Sequence, residues 1–145
     1  MPCDTVSYHS VWGFFMPFVP TIKQVSADSR GEIYSISLPD NRELMLLHSA
    51  AGSMRGGHSH NVPESVMVLT GSMRYRKKSP YGTRIETTFF LQAGDSSPTA
   101  AGTDHVADFP KDTWLVEMKH ARIGEWTQSN YAPWRAEVEA NAKLS

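Results

Sequence analysis

Three histidines and one glutamate form the strongest chemical pattern in this sequence. His58 and His60 are separated by one residue, and Glu64 follows four positions later. Side chains of a β-strand alternate between two faces, so both histidines point the same way, and Glu64 joins them if residues 61–63 only turn the chain. His105 is a fourth candidate ligand from a distant strand. Imidazole and carboxylate groups that converge in this way typically bind a divalent metal.

Glycines frame the first three ligands. Gly52 lies six positions before His58, and Gly71 lies seven positions after Glu64. This spacing resembles the first motif of the cupin family at each of its five positions.

The second cupin motif is matched in part. Gly94, Gly102 and His105 fit it, whereas Ala100 and Phe109 stand where the family has proline and asparagine. The resemblance implies an all-β fold, a double-stranded β-helix (jelly-roll) barrel, with His58, His60, Glu64 and His105 as the ligands of one metal ion. The mixed nitrogen and oxygen donors suit Fe, Mn, Ni, Cu, Co or Zn and do not choose among them.

Short alternating segments bounded by Gly, Pro, Asn or Asp predict the strands that must position these ligands. We expect strands at 22–25, 32–38, 43–49, 64–70, 73–77, 84–91, 104–109 and 113–120, with a hairpin between 64–70 and 73–77 around Gly71. Regularly spaced short strands indicate a closed sandwich or barrel. Its interior is expected to be lined or backed by Val66, Val68, Met45, Leu47, Phe89, Phe90 and Phe109.

A short C-terminal helix is the one clear exception to the β pattern. Pro133 suits the first helical turn, and Trp134, Val138 and Ala142 recur every four residues on one face. We expect this helix to pack on the outside of the barrel.

Arg55 and Glu117 are the candidate catalytic residues outside the ligand set. Arg55 precedes His58 in a segment similar to that of cupins that isomerise or epimerise nucleotide-linked sugars without a metal, and a guanidinium can also pair with a substrate carboxylate. Glu117 shares a strand face with Leu115 and Lys119. If that face is internal, Glu117 is a pocket acid or base. The alternative for Arg55 is an exposed loop cation without a role in the site. The alternative for Glu117 is a solvated or salt-bridged carboxylate on the outer face of the strand.

The motifs favour a metal-dependent enzyme that acts on a small oxygenated substrate, an organic acid or a sugar derivative. Cupins of this kind include dioxygenases, isomerases and lyases, so the reaction type stays open. The first alternative is a metal-independent nucleotide-sugar isomerase or epimerase with His58 or His60 as its base. The second is a non-catalytic module that binds a small molecule or a sugar.

The composition sets further limits. The chain has 145 residues with a net charge of −1 and one cysteine, Cys3. It suggests one domain, with residues 1–20 as an N-terminal arm, 21–120 as the barrel and 121–145 as an extension with the helix. The balanced charge gives no reason to expect nucleic acid or membrane partners. A cytoplasmic location is expected, because no basic leader and no disulfide pair is present.

The N-terminal arm is unusually apolar. Phe14, Phe15, Met16 and Phe18 are too apolar to remain exposed to solvent. We expect this arm to form a subunit interface in a homodimer.

Overall fold

The computed structural model describes residues 16–144, and these are predominantly β-structure. The strands are β1 (Ile22–Asp28), β2 (Gly31–Leu38), β3 (Arg42–Ser49), β4 (Met54–His60), β5 (Glu64–Thr70), β6 (Ser72–Lys78), β7 (Glu86–Gln92), β8 (Ser96–Thr99), β9 (Asp104–Asp108), β10 (Thr113–Lys119) and β11 (Gln128–Asn130). A short 3-10 turn at Pro39–Asn41 precedes β3, and the helix α1 spans Ala132–Ala142. No helix in the described range is long and apolar enough to cross a membrane.

The strands form two antiparallel sheets. The six-stranded sheet has the order β1-β2-β3-β10-β5-β8, and the five-stranded sheet has the order β11-β4-β9-β6-β7. Apart from the consecutive neighbours β1–β2–β3 and β6–β7, strands that pair in a sheet are not consecutive along the chain, so the chain passes repeatedly from one sheet to the other. This is the expected jelly-roll barrel.

The eight strands predicted with bounds are all present, and β4 is the strand on which His58 and His60 were expected to lie. Two further short strands were not predicted. These are β8, whose sequence Ser-Ser-Pro-Thr has no apolar alternation, and β11, which pairs with β4 beyond residue 120. The hairpin around Gly71 was predicted wrongly. β5 pairs with β10 and β8, whereas β6 pairs with β9 and β7, so Gly71 carries the chain between sheets. A Cβ on Gly71 would lie 2.3 Å from the Asp112 carbonyl oxygen.

The inner faces of the two sheets enclose the core. Its buried members are Leu47, Val66, Val68, Met73, Tyr75, Leu91, Ala107, Phe109 and Leu115. The expectation that Phe90 backs the barrel was wrong, because it is 74% exposed on β7, and Phe89 is itself 39% exposed and lies outside the buried core. Phe89 and Phe90 are adjacent on one strand and therefore point to opposite faces.

The helix α1 lies outside the barrel, as predicted. Trp134 and Val138 are buried against Val106 on the outer side of the five-stranded sheet. The Arg135 guanidinium donates a hydrogen bond from Nη1 to the Gly56 carbonyl oxygen at 2.9 Å. The helix is thereby fastened directly to β4, the strand that contains two of the candidate ligands.

Candidate metal centre

A β-bulge in β4 turns three functional side chains toward the interior. The register of β4 against β9 shifts between Gly56 and His58, and Gly56 and Gly57 have φ angles of 94° and 82°. The extra residue resets the alternation, so Arg55, His58 and His60 all line the same cavity. On a regular strand Arg55 and His58, three positions apart, would face opposite sides.

The turn at residues 61–63 and the pairing of β9 complete the cluster. β5 begins at Glu64, which is 2% exposed, and His105 of β9 lies opposite His58 in the ladder. One ring nitrogen from each of His58, His60 and His105 lies within 4.8 Å of the others. Two nitrogens that each lie about 2.1 Å from one ion are at most about 4.2 Å apart. Side-chain shifts below about 1 Å would therefore bring the three nitrogens to distances at which they can bind the same ion.

Glu64 lies between two of the histidines. Its Oε2 is 3.1 Å from His60 Nδ1, and its Oε1 is 3.1 Å from His105 Nε2. His60 Nδ1 and Glu64 Oε2 are nevertheless buried without a hydrogen-bond partner in the described residues, because proximity alone does not align donor and acceptor. Buried polar atoms that converge without bonding fit ligands of a metal ion.

The protonation states also suit metal binding. Burial and the neighbouring His105 and His60 lower the pKa of His58 to about 3, and burial lowers the pKa of His105. Burial alone would raise the pKa of Glu64, but the adjacent His60 and His105 outweigh it and lower the value to about 2. At neutral pH His58 and His105 therefore offer neutral imidazoles and Glu64 offers an ionised carboxylate, the forms that bind a cation.

Neighbouring polar groups orient the rings. His105 Nδ1 lies 3.0 Å from the Thr103 carbonyl oxygen, which can only accept, so Nδ1–H donates this hydrogen bond and the Nε2 lone pair faces the cluster. His60 Nε2 lies 3.3 Å from Gln128 Oε1. The Trp126 ring stands edge-on to the His60 ring, with centroids 5.3 Å apart.

The cluster faces a cavity of about 260 Å³ between the sheets. One wall is apolar and includes Ile33, Met45, Leu47 and Phe109. The other contains the histidines together with charged side chains. This volume is near the lower limit for ligand pockets, so the cavity suits a small molecule.

Arg55 lines the cavity but is anchored away from the histidines. It is 8% exposed, and it donates from Nε to Ser49 Oγ at 2.8 Å and from Nη2 to the His48 carbonyl oxygen at 3.0 Å. Burial and the charge of Arg30 lower its pKa. These bonds tie β4 to β3, so Arg55 links the two sheets as well as bordering the cavity.

Glu117 faces the interior of the barrel. The alternation of side chains on its strand had left open whether this face is internal or exposed to solvent. Its carboxyl is half-buried and borders the cavity together with Leu115 and Lys119. Burial and the nearby Glu64 carboxylate raise the pKa of Glu117 to about 7. The two carboxyl groups therefore differ strongly in their affinity for a proton, a pattern associated with acid–base function.

The sequence reasoning did not single out three further residues near the cluster. Lys119 was predicted to share a strand face with Glu117 but was given no role, although the same alternation also brings it to the cavity if Glu117 lies there. Tyr75 contacts Glu64 Oε1 at 3.5 Å and Thr99 Oγ1 at 3.1 Å. Gln128 lies on the unpredicted β11 and had no sequence signal.

The remaining histidines have other surroundings. His48 lies between Glu32 and Asp112, at 2.7 and 3.3 Å, and stacks on Trp114. His120 Nε2 is 3.1 Å from Ser65 Oγ. His9 lies outside the described residues.

Neither a protein-family model nor any curated protein matches the sequence. Several solved structures resemble its fold. The Lactobacillus farciminis oxalate decarboxylase formate complex has a TM-score of 0.65 at 17% identity, over 80% of this chain and 35% of that chain. A variant of Bacillus subtilis oxalate decarboxylase gives 0.63 at 19% identity, over 84% and 34%. The capsular polysaccharide assembling protein CapF from Staphylococcus aureus gives 0.62 at 16% identity, over 72% and 32%. The chain spans about a third of the length of these proteins.

Proposed function

We propose that this protein, which has the cupin fold, binds one divalent transition metal and acts as an enzyme on a small oxygenated substrate, an organic acid or a sugar derivative. The observation that carries the proposal is the cluster of His58, His60 and His105, together with the buried Glu64 carboxylate that lies 3.1 Å from His60 and from His105. Two of the converging polar atoms have no hydrogen-bond partner in the described part of the chain.

The proposed ligands are His58, His60, His105 and Glu64. When bound, a divalent metal supplies a Lewis acid for a substrate oxygen or a binding position for dioxygen. Three neutral imidazoles and one carboxylate leave a net charge of about +1 at the centre, which attracts an anionic or strongly polar group. Fe, Mn, Ni, Cu, Co and Zn all accept this donor set.

The residues around the centre have separate proposed roles. The apolar wall excludes water and strengthens charge interactions in the cavity. Glu117 exchanges a proton with the substrate, since its pKa of about 7 leaves both protonation states populated at neutral pH. Arg55 supports the cavity wall and presents its remaining N–H groups to a polar substrate atom.

The test is a metal removal and restoration experiment on protein prepared without a histidine tag. Elemental analysis of the purified protein names the ion. Chelator-stripped protein is then assayed with small oxygenated acids and sugar derivatives, with each divalent ion restored in turn. We expect turnover to return with one or two ions. Full activity in rigorously metal-free protein would overturn the proposal.

A second candidate is a metal-independent nucleotide-sugar isomerase or epimerase. It is favoured by the 3.1 Å approach of Glu64 Oε2 to His60 Nδ1, because a carboxylate beside an imidazole can strengthen a histidine base. His58 or His60 is then the base, and Arg55 binds the substrate. Full activity without metal is its expected result. Ligand binding without turnover would instead indicate a non-catalytic binding protein.

We also propose that the protein is a homodimer. Met16 and Val19 are 89% and 72% exposed immediately before β1, and residues 1–15, which include Phe14 and Phe15, lie outside the described range. The outer face of the six-stranded sheet also exposes Met67 and Leu69 by 42% and 43%. A second copy would cover this apolar surface.

A further inference from the structure

Four cationic side chains line the cavity: Arg30, Arg55, Lys119 and Arg135. Three of them form hydrogen bonds or ion pairs with other residues of the chain. Arg30 forms an ion pair with Asp28 at 2.6 Å, and Arg135 donates to the Gly56 carbonyl oxygen. Arg55 donates to a hydroxyl and a carbonyl oxygen on β3. Their charged groups are therefore partly or wholly satisfied without a ligand.

Lys119 differs from the other three. Within residues 16–144 its ammonium has no hydrogen bond and no ion pair; the Trp126 ring centroid lies 4.3 Å from Nζ, and the Glu64 and Glu117 carboxyl groups attract the ammonium only through space. An ammonium group has three donors, and an aromatic face satisfies its charge only in part. Lys119 thus presents unused hydrogen-bond donors to the cavity.

The position of Lys119 connects it to the histidine cluster. It lies opposite Glu64 in the pairing of β10 with β5. The Trp126 ring contacts both the Lys119 ammonium and the His60 ring. The positive charge of Lys119 contributes to lowering the pKa of His58, Glu64 and His105, which places it within electrostatic range of all three.

We propose that Lys119, held against Trp126, is the subsite that binds a carboxylate of the substrate. This inference rests on the proposed function and names its substrate class: a small carboxylic acid that carries a second oxygen-containing group within reach of the histidine cluster. A carboxylate fits a single ammonium donor and a cavity of about 260 Å³. In this role Trp126 restricts the lysine side chain, so less conformational freedom is lost on binding.

The experiment measures binding as well as activity. The metal-containing protein as purified is titrated calorimetrically with malonate, with the neutral analogue malonamide and with inorganic phosphate. The variants are Lys119→Met, Lys119→Arg and, as the matched control for charge, Lys111→Met on the exposed β9–β10 turn. Metal content and unfolding temperature are measured for each protein.

We expect Lys119→Met to weaken malonate binding about tenfold or more, because the charge-assisted hydrogen bond from the ammonium to the carboxylate is lost. Malonamide binding and metal content should not change. Lys119→Arg should largely restore malonate affinity, and Lys111→Met should match the unmodified protein. If Lys119→Met does not fold, Lys119→Gln makes the same comparison.

Equal malonate affinity in Lys119→Met and the unmodified protein would overturn the inference. Tighter binding of phosphate than of malonate would overturn the assigned substrate class. Failure of the proposed function has a different signature: the unmodified protein then retains no metal, whatever its affinity for malonate. The two proposals can therefore fail independently.

Discussion

The Glu64 carboxylate organises the charges of the cavity. It is almost fully buried against His60 and His105, and the opposing effects of burial and these imidazoles leave its pKa at about 2. Glu64 thus remains ionised while Glu117, whose pKa burial and Glu64 raise to about 7, exchanges its proton near neutrality. One carboxyl group therefore keeps its charge at neutral pH, while the other changes its protonation state there.

The raised pKa of Glu117 predicts a pH-dependent stability. The folded state binds its proton up to about pH 7, whereas the unfolded carboxyl releases it near 4.5. The contribution is therefore fully present below about pH 4.5 and is lost as the pH rises through about 7. Between these pH values Glu117 should lower the free energy of unfolding by up to about 3 kcal/mol. We expect this decrease to be absent in Glu117→Gln.

Urea unfolding of chelator-treated protein and of the Glu117→Gln variant, at intervals from pH 4.5 to 8, measures the difference. The comparison between the two proteins cancels the other titrating groups. Parallel pH profiles would mean that Glu117 titrates as it does in the unfolded chain.

The histidine cluster predicts a selective loss of metal. His60→Ala removes an imidazole that contacts Glu64, so we expect metal content after purification to fall to a small fraction and turnover to disappear. His120→Ala is the matched control, because His120 is exposed and contacts Ser65 rather than the cluster. Elemental analysis decides between them. Full metal retention in His60→Ala would remove it from the ligand set.

At the level of elements, the bulge in β4 is the main device that forms the site. Gly56 and Gly57 both have positive φ angles, and a Cβ on Gly57 would lie 2.8 Å from the backbone nitrogen of Arg135. The bulge and α1 therefore need each other: the glycines allow the helix to approach, and the helix holds the bulge that turns Arg55 and His58 inward.

Gly57→Ala tests this dependence. We expect it to destabilise the fold by more than Gly52→Ala, whose φ is also +82° but whose Cβ meets nothing within 4 Å. The control isolates the backbone strain, about 1–2 kcal/mol, and the excess in Gly57→Ala measures the clash with α1. Denaturant unfolding gives both values. Equal losses in the two variants would show that α1 moves away at little cost.

At the level of the whole molecule, the apolar surface before β1 predicts association. Deletion of residues 1–20 removes Phe14, Phe15, Met16 and Phe18, and we expect the truncated protein to elute as a monomer. Gel filtration with light scattering at several concentrations measures the change. A full-length protein that is already monomeric at high concentration would contradict the homodimer.

Local periodicity in the sequence was sufficient to place His58, His60 and Glu64 on one face and to predict most of the elements. His58 and His60 share a face because strand side chains alternate, and Glu64 follows because the turn preserves that parity. The spacing of Trp134 and Val138 indicated the helix and its buried face. These features depend on residues a few positions apart, so one segment contains the information.

Only the tertiary structure decided which faces and strands meet. Periodicity shows that Leu115, Glu117 and Lys119 share a face, but the pairing of β10 with β3 and β5 makes that face internal. The bulge that turns Arg55 inward and the crossing at Gly71 likewise depend on contacts with β9, α1 and the β9–β10 turn. Lys119 gains its setting from Trp126, because register between segments distant in the chain is set by packing and not by local pattern.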